Sequence, residues 1–156
     1  MSRAAKYLSL LLLFALVVLP GYSQTGKQSR KAYKAALKEA KEHLRYEEFN
    51  QAIPAIQDLL NDNPESPYYN FWMGKCLYIT YKKNQALPYF QKVASTNPDI
   101  DKEFHYYYGL TLHYNLLFDQ AIQAYRNDLR RYEPASDQYV RVANRISQCQ
   151  YAKKLT

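Results

Sequence analysis

One register is written three times along this chain, about 34 residues apart. The string EFNQAIPAI at residues 48–56 recurs as KNQALPYF at 83–90 and as FDQAIQAY at 118–125. Ala52 and Ala86 are 34 positions apart, Ala86 and Ala121 are 35, and Pro64 and Pro98 are again 34. Twelve residues before each alanine stands a small residue: Ala40, Gly74 and Gly109. A period of this length constrains the fold more than composition does. Each copy is too short to close a core alone, so the copies must stack, each burying its apolar face on the next.

The spacing describes two antiparallel helices per copy. The small residue of the first helix and the alanine of the second are expected where the backbones approach most closely. Phe49, Phe118, Phe90 and Tyr125 then fill the space beside that contact, and the proline stops the second helix. This pattern is identified as the tetratricopeptide (TPR) motif. The resemblance implies an all-α, right-handed solenoid of three helix-turn-helix repeats, about 30–64, 65–98 and 99–134, closed by a capping helix over 135–155. Arrays of this kind hold partners and rarely catalyse.

The first residues differ in kind. Arg3 and Lys6 precede an apolar run at 8–19, and Gly21 and Ser23 put small residues at the −3 and −1 positions of a cleavage after Ser23. This is the pattern of a secretory signal peptide over 1–23, followed by a polar leader at 24–29. The run is short for a membrane span, which needs about 20 residues. The expected product is exported, periplasmic or outer-membrane associated. No cysteine stands at the cleavage point, so no lipid anchor is expected there.

Along the remainder, Ser29 caps a helix running to about residue 46, and a second follows over 49–61. Pro54 is expected in or just after its first turn, where a missing N–H costs little. Ser66 and Pro67 start a helix through about Tyr81. The next spans 84–95, then one capped by Asp99 or Asp101 through Tyr114, then 118–132. Residues 134–137 open a last helix to about Lys154. Its expected buried stripe is Val140, Ala143, Ile146, Ala152 and Leu155, with Arg141, Arg145, Lys153 and Lys154 pointing elsewhere.

The concave face of such an array is lined by its first helices. Counting from Gly74 and Gly109 gives Tyr68, Phe71, Lys75, Tyr78 and Ile79, then Glu103, Tyr106, Leu110, His113 and Tyr114. The first repeat adds Lys34, Leu37, Lys41, Leu44 and Arg45. The partner-binding groove is expected to use Tyr68, Phe71, Lys75, Tyr78, Tyr106, Leu110, His113 and Tyr114. Seventeen tyrosines against one tryptophan suit a contact surface of this kind, because tyrosine offers area at small entropic cost. The other reading of these rings is mutual packing.

The full chain carries +7, and without Arg3 and Lys6 it carries +5. The charge is basic at both ends, +5 over 27–45 and +4 over 126–156, and −4 over 46–125. Solvated helix faces account for this. An alternative function uses the basic ends on anionic lipid or cell-wall polymer. Nucleic acid is not expected, because the basic residues carry no recognition motif. His43, His105 and His113 form no metal-ligand spacing with carboxylates, so no metal or cofactor is expected. Cys76 and Cys149 lie two repeats apart, about 20 Å in stacked helices, whereas a disulfide needs Cα atoms within about 7 Å. No nucleophile–base pair or phosphate-binding glycine loop is present, and no enzyme is expected.

The strings FHYYYG at 104–109, HYNLLFDQAI at 113–122 and RISQCQYAKKL at 145–155 resemble the TPR region of Bacteroidota outer-membrane-protein-A-family proteins. That resemblance implies an envelope location and a link to outer-membrane or type IX secretion assemblies. Family members join the repeats to a β-propeller and a peptidoglycan-binding domain. This chain stops where the propeller would begin, so peptidoglycan binding does not carry over. The expected partner is a protein or peptide segment, such as an outer-membrane or secretion component, with the membrane touched only peripherally.

Overall fold

The computed structural model describes residues 29–155, and the expected signal peptide at 1–23 lies outside them. Seven helices and no strand occur among the described residues. They are α1 (Arg30–Arg45), α2 (Phe49–Asp62), α3 (Pro67–Ile79), α4 (Lys83–Thr96), α5 (Phe104–Tyr114), α6 (Phe118–Leu129) and α7 (Asp137–Lys153). Each packs on the next, and α3 also touches α5.

Starts and stops follow local chemistry. Ser29, Ser66 and Ser136 cap α1, α3 and α7 by accepting the N–H of Ala32, Tyr69 and Tyr139. Helix α5 begins later than the aspartates suggested. Asp101 Oδ1 instead accepts the Glu103 N–H at 2.8 Å, closing a turn ahead of the helix. Pro54 stands just after the first turn of α2, where it is expected, and Pro88 holds the same place in α4. Counted from Phe49 and Lys83, each is the sixth residue of its helix, beyond the free N–H groups, so each removes one backbone bond. Both are exposed, where water can take the freed carbonyl.

Helices α1, α3 and α5 end alike. Past the helix, the N–H of Glu48, Lys82 and Leu117 returns to the carbonyl of His43, Leu77 and Leu112, each at 2.9 Å. The residue before each donor is left-handed: Glu47 at φ 58°, Tyr81 at 64° and Leu116 at 60°. These are Schellman ends with no glycine at the bend. They stop α3 at Ile79, short of Tyr81, and α6 likewise stops at Leu129, short of Tyr132.

The core runs between the pairs. Ala40, Ala52, Ile56, Leu59, Cys76, Ala86, Phe90, Val93 and Phe104 are fully buried in one cluster. Leu112, Ala121, Tyr125, Val142 and Cys149 lie in a second, with Tyr108 packed on both. The close approach differs in detail from expectation. The rings of Phe90 and Tyr125 lie over Gly74 and Gly109: a Cβ built on those glycines would sit 2.9 Å from Phe90 Cζ and 2.6 Å from Tyr125 Cδ1. The ring four residues after the alanine is therefore what the glycine admits. Buried Asn70 is satisfied by donating to the carbonyls of Pro64 and Ser66, which pins the loop entering α3.

The buried stripe of α7 is also corrected. Val142 and Cys149 are buried, with Ile146 packed beside them, while Val140 and Leu155 are exposed. The expected stripe assumed the helix would lie on its most apolar face. Its contact with α6 instead selects the face that continues the order of the preceding helices. Cys76 and Cys149 are both free and buried.

Candidate functional site: a tyrosine-lined concave face

The odd-numbered helices share one face. Tyr33 of α1 and Tyr69 of α3 join their hydroxyls at 2.5 Å. Between α3 and α5, Lys75 donates to Glu103 Oε2 at 2.5 Å and lies 5.2 Å from the Tyr107 ring centre. Tyr107 meets Tyr78 edge-on at 5.9 Å and Tyr106 edge-on at 5.9 Å. Lys83, at the start of α4, places its Nζ 5.2 Å from the Tyr78 ring, 5.8 Å from Tyr81 and 5.4 Å from Tyr114. The result is a lattice of rings bracketed by cations.

The expected site residues divide. Lys75, Tyr78 and Tyr106 come together in this lattice, with Tyr114 at its edge under Lys83. Leu110 and His113 are half-buried beside it, the histidine ring against Phe118. Tyr68 is exposed at the far end, near Trp72, in a cleft of about 240 Å³ shared with Leu37 and Lys41 of α1. Phe71 is a correction. It is only 2 % exposed and packs on Phe90 and Phe104, so it belongs to the core and offers nothing to a partner. An apolar ring without a hydroxyl turns inward where its register equivalent, Tyr106, keeps a polar tip to solvate.

Helix α7 extends the face. Gln138, Arg141, Arg145 and Gln148 stand 35 positions after Glu103, Tyr106, Leu110 and His113. Gln138, Arg141 and Val142 line a cleft of about 190 Å³ with Glu103, Tyr106, Tyr107 and Tyr132. Arg145 is half-buried, donates to Gln148 at 3.2 Å and acts on Tyr78, His113 and Tyr125. It had been expected to point elsewhere. Tyr107, Tyr132 and Gln138 escaped the sequence reading. Carrying the 35-residue period one step past the third repeat would have found Gln138.

Burial sets the protonation. It pushes the Tyr107 phenol up to about 12, helped by Glu103, and raises that of Tyr78. These hydroxyls are neutral hydrogen-bond groups at ordinary pH. Burial and then Arg145 lower the His113 pKa, disfavouring the charged form of that ring. Among the described residues, no group of three or more His, Cys, Asp or Glu side chains could hold a metal ion. The face offers ring edges, neutral hydroxyls and cations held over rings, which is the chemistry of recognition.

No family model and no curated protein matches the chain. Solved structures do. The first TPR of Spaghetti (RPAP3), bound to the HSP90 peptide SRMEEVD, is 12% identical, with a TM-score of 0.63 over 83% of this chain and 98% of its own. The type III secretion translocator chaperone SycD of Yersinia enterocolitica is 11% identical, with a TM-score of 0.63 over 84% and 92%. The TPR2B domain of yeast Sti1, in complex with pHsp70, is 10% identical, with a TM-score of 0.60 over 78% and 98%. The described residues therefore adopt the all-α tetratricopeptide solenoid, with α1–α2, α3–α4 and α5–α6 as its helix pairs and α7 as a terminal helix of the first kind.

Proposed function

We propose that the protein is a non-catalytic adaptor that holds a segment of a partner protein against its concave face. The observation that carries this reading is the ring lattice of Tyr78, Tyr106 and Tyr107, which packs on the core from one side and remains half-exposed on the other. Two of the similar structures hold a partner peptide or protein, which supports the same use of this fold. The pattern of residues 1–23 supports export, and with it an envelope partner such as an outer-membrane or type IX secretion component.

The test is direct. Partners cross-linked in the native envelope are identified by mass spectrometry, and the segment they share is titrated by fluorescence anisotropy. Tyr78→Ala and Tyr106→Ala each weaken binding by about 2 kcal/mol, as loss of an aromatic anchor does. The complex survives about 0.5 M salt, because its contacts are mainly apolar. Unchanged affinity in both variants, with the fold intact, rejects the groove as the site.

A further inference from the structure

A second surface lies along the edge formed by the helix-pair turns. Four exposed side chains stand 35 residues apart, Tyr46, Tyr81, Leu116 and Tyr151; Tyr81 and Leu116 hold the same bend position, which Glu47, next to Tyr46, fills in the first turn. They are 60%, 88%, 68% and 67% exposed. Tyr46, Tyr81 and Leu116 follow the ends of α1, α3 and α5, and Tyr151 lies in the last turn of α7. Lys83 reaches both Tyr81 and Tyr114, which sets the second turn beside the third. A cleft lined by Leu116, Leu117, Phe118 and Lys153 sets the third beside the end of α7.

These side chains bury little surface: the contacts of Tyr46 with Arg45 and of Tyr81 with Lys83 are made to exposed or half-exposed cations. Tyr81 and Leu116 occupy left-handed backbone positions, where glycine or asparagine is favoured and a bulky residue costs stability. A large apolar group that is exposed, repeated and placed where the backbone disfavours it has its use outside the array. The neighbouring charges indicate what that use is. Within three positions of these side chains in the sequence stand Arg45, Lys82, Lys83, Lys153 and Lys154, against three carboxylates, Glu47, Glu48 and Asp119. Of these, Glu48 takes His43 at 2.6 Å and Asp119 takes Lys153 at 2.5 Å, leaving Glu47. The edge is thus a row of rings and one leucine interleaved with an excess of cations.

We propose that this edge docks on an anionic lipid surface. Tyr46, Tyr81, Leu116 and Tyr151 enter the layer between headgroups and acyl chains, where a tyrosine satisfies its hydroxyl and its ring together. Arg45, Lys82 and Lys154 pair with lipid phosphates. Among the described residues no helix is long and apolar enough to cross a membrane, so the contact is peripheral. The concave face lies beside this edge and stays open to its partner.

The experiment uses the chain from Ser29 onward, so that the apolar run at 8–19 contributes nothing. Both core clusters lie within that chain, and its helical spectrum and cooperative melting are verified first. Flotation is measured with vesicles of phosphatidylcholine, alone and mixed with phosphatidylglycerol. Binding to the anionic vesicles is expected, weaker to the neutral ones and weaker in about 0.5 M salt. Combining Tyr81→Asn, Leu116→Asn and Tyr151→Ser lowers affinity about ten-fold or more. Lys82→Glu with Lys154→Glu removes the preference for anionic vesicles, and carries the test alone if the triple variant fails to fold. Equal flotation of wild type and both variants, or no flotation of the wild type, overturns the proposal. So does concentration-dependent dimerisation, lost in the triple variant without any flotation, which makes the edge a contact between copies.

Discussion

The ring of Tyr125 lies directly on the backbone of Gly109. A methyl group there would stand 2.6 Å from both Cδ1 and Cε1 of a side chain that is itself fully buried. The glycine is thus the recess that lets α5 and α6 close on an aromatic ring. Gly109→Ala is expected to lower stability by about 1–3 kcal/mol, the usual cost of overpacking, despite alanine's better helix propensity. Gly74→Ala meets Phe90 at 2.9 Å and should cost less. Thermal melts of the two variants check both the sign and the order.

Leu116 gives the opposite prediction. It sits at φ 60° in the bend that ends α5, with its side chain largely in solvent. Leu116→Gly should raise stability by about 0.5–1 kcal/mol: relief of the left-handed strain exceeds the extra freedom of the unfolded chain. A denaturant midpoint that falls would show that the leucine makes contacts of its own.

The thiols should be silent in the folded state. Cys76 is fully buried and burial pushes its pKa up to about 12, while Cys149 is fully buried and raised in the same direction. Neither forms the thiolate that alkylating reagents attack. Mass labelling should add no tag under native conditions and two after denaturation.

Stability should depend on pH through two histidines and one aspartate that act in opposite directions. Burial, then Arg131 and Arg130, lower the His105 pKa from the ordinary 6.5 against Asp99, and burial lowers His113 likewise. The unfolded chain therefore binds these protons more tightly. Their contribution is present above about pH 6.5 and is lost as pH falls below it. Asp128 acts in reverse. It is fully buried, with Arg131 Nη1 3.6 Å away and the Tyr132 hydroxyl beside it, and both favour its charged form less than burial opposes it. Burial raises its pKa above 3.8, so its contribution is present at low pH and is lost as pH rises through the folded value. The melting temperature of Asp128→Asn relative to wild type should increase from about pH 4 to pH 7. A flat difference would contradict this.

Much of the array was legible without coordinates. The interval between Ala52, Ala86 and Ala121 specifies stacked helix pairs, because only a repeated surface needs a repeated small residue. Ser29, Ser66 and Ser136 specify helix starts, because a hydroxyl that satisfies a free N–H acts over three residues of chain. The tyrosines and Lys75 on one face of α3 and α5 followed from the same counting.

Other features depend on neighbours far along the chain. Phe71 and Tyr106 occupy one register, yet Phe71 is core and Tyr106 is half-exposed, since Phe90 and Phe104 surround the first and an open cleft adjoins the second. The face that α7 buries was chosen by its fit to α6, which turned Arg145 towards the tyrosines and left Val140 in solvent. The sequence alone determined what recurs every 34 or 35 residues, because hydrogen bonds and small-residue recesses are satisfied within one repeat. The tertiary structure decided which equivalent side chains turn inward, because burial depends on what the adjacent repeat places against them.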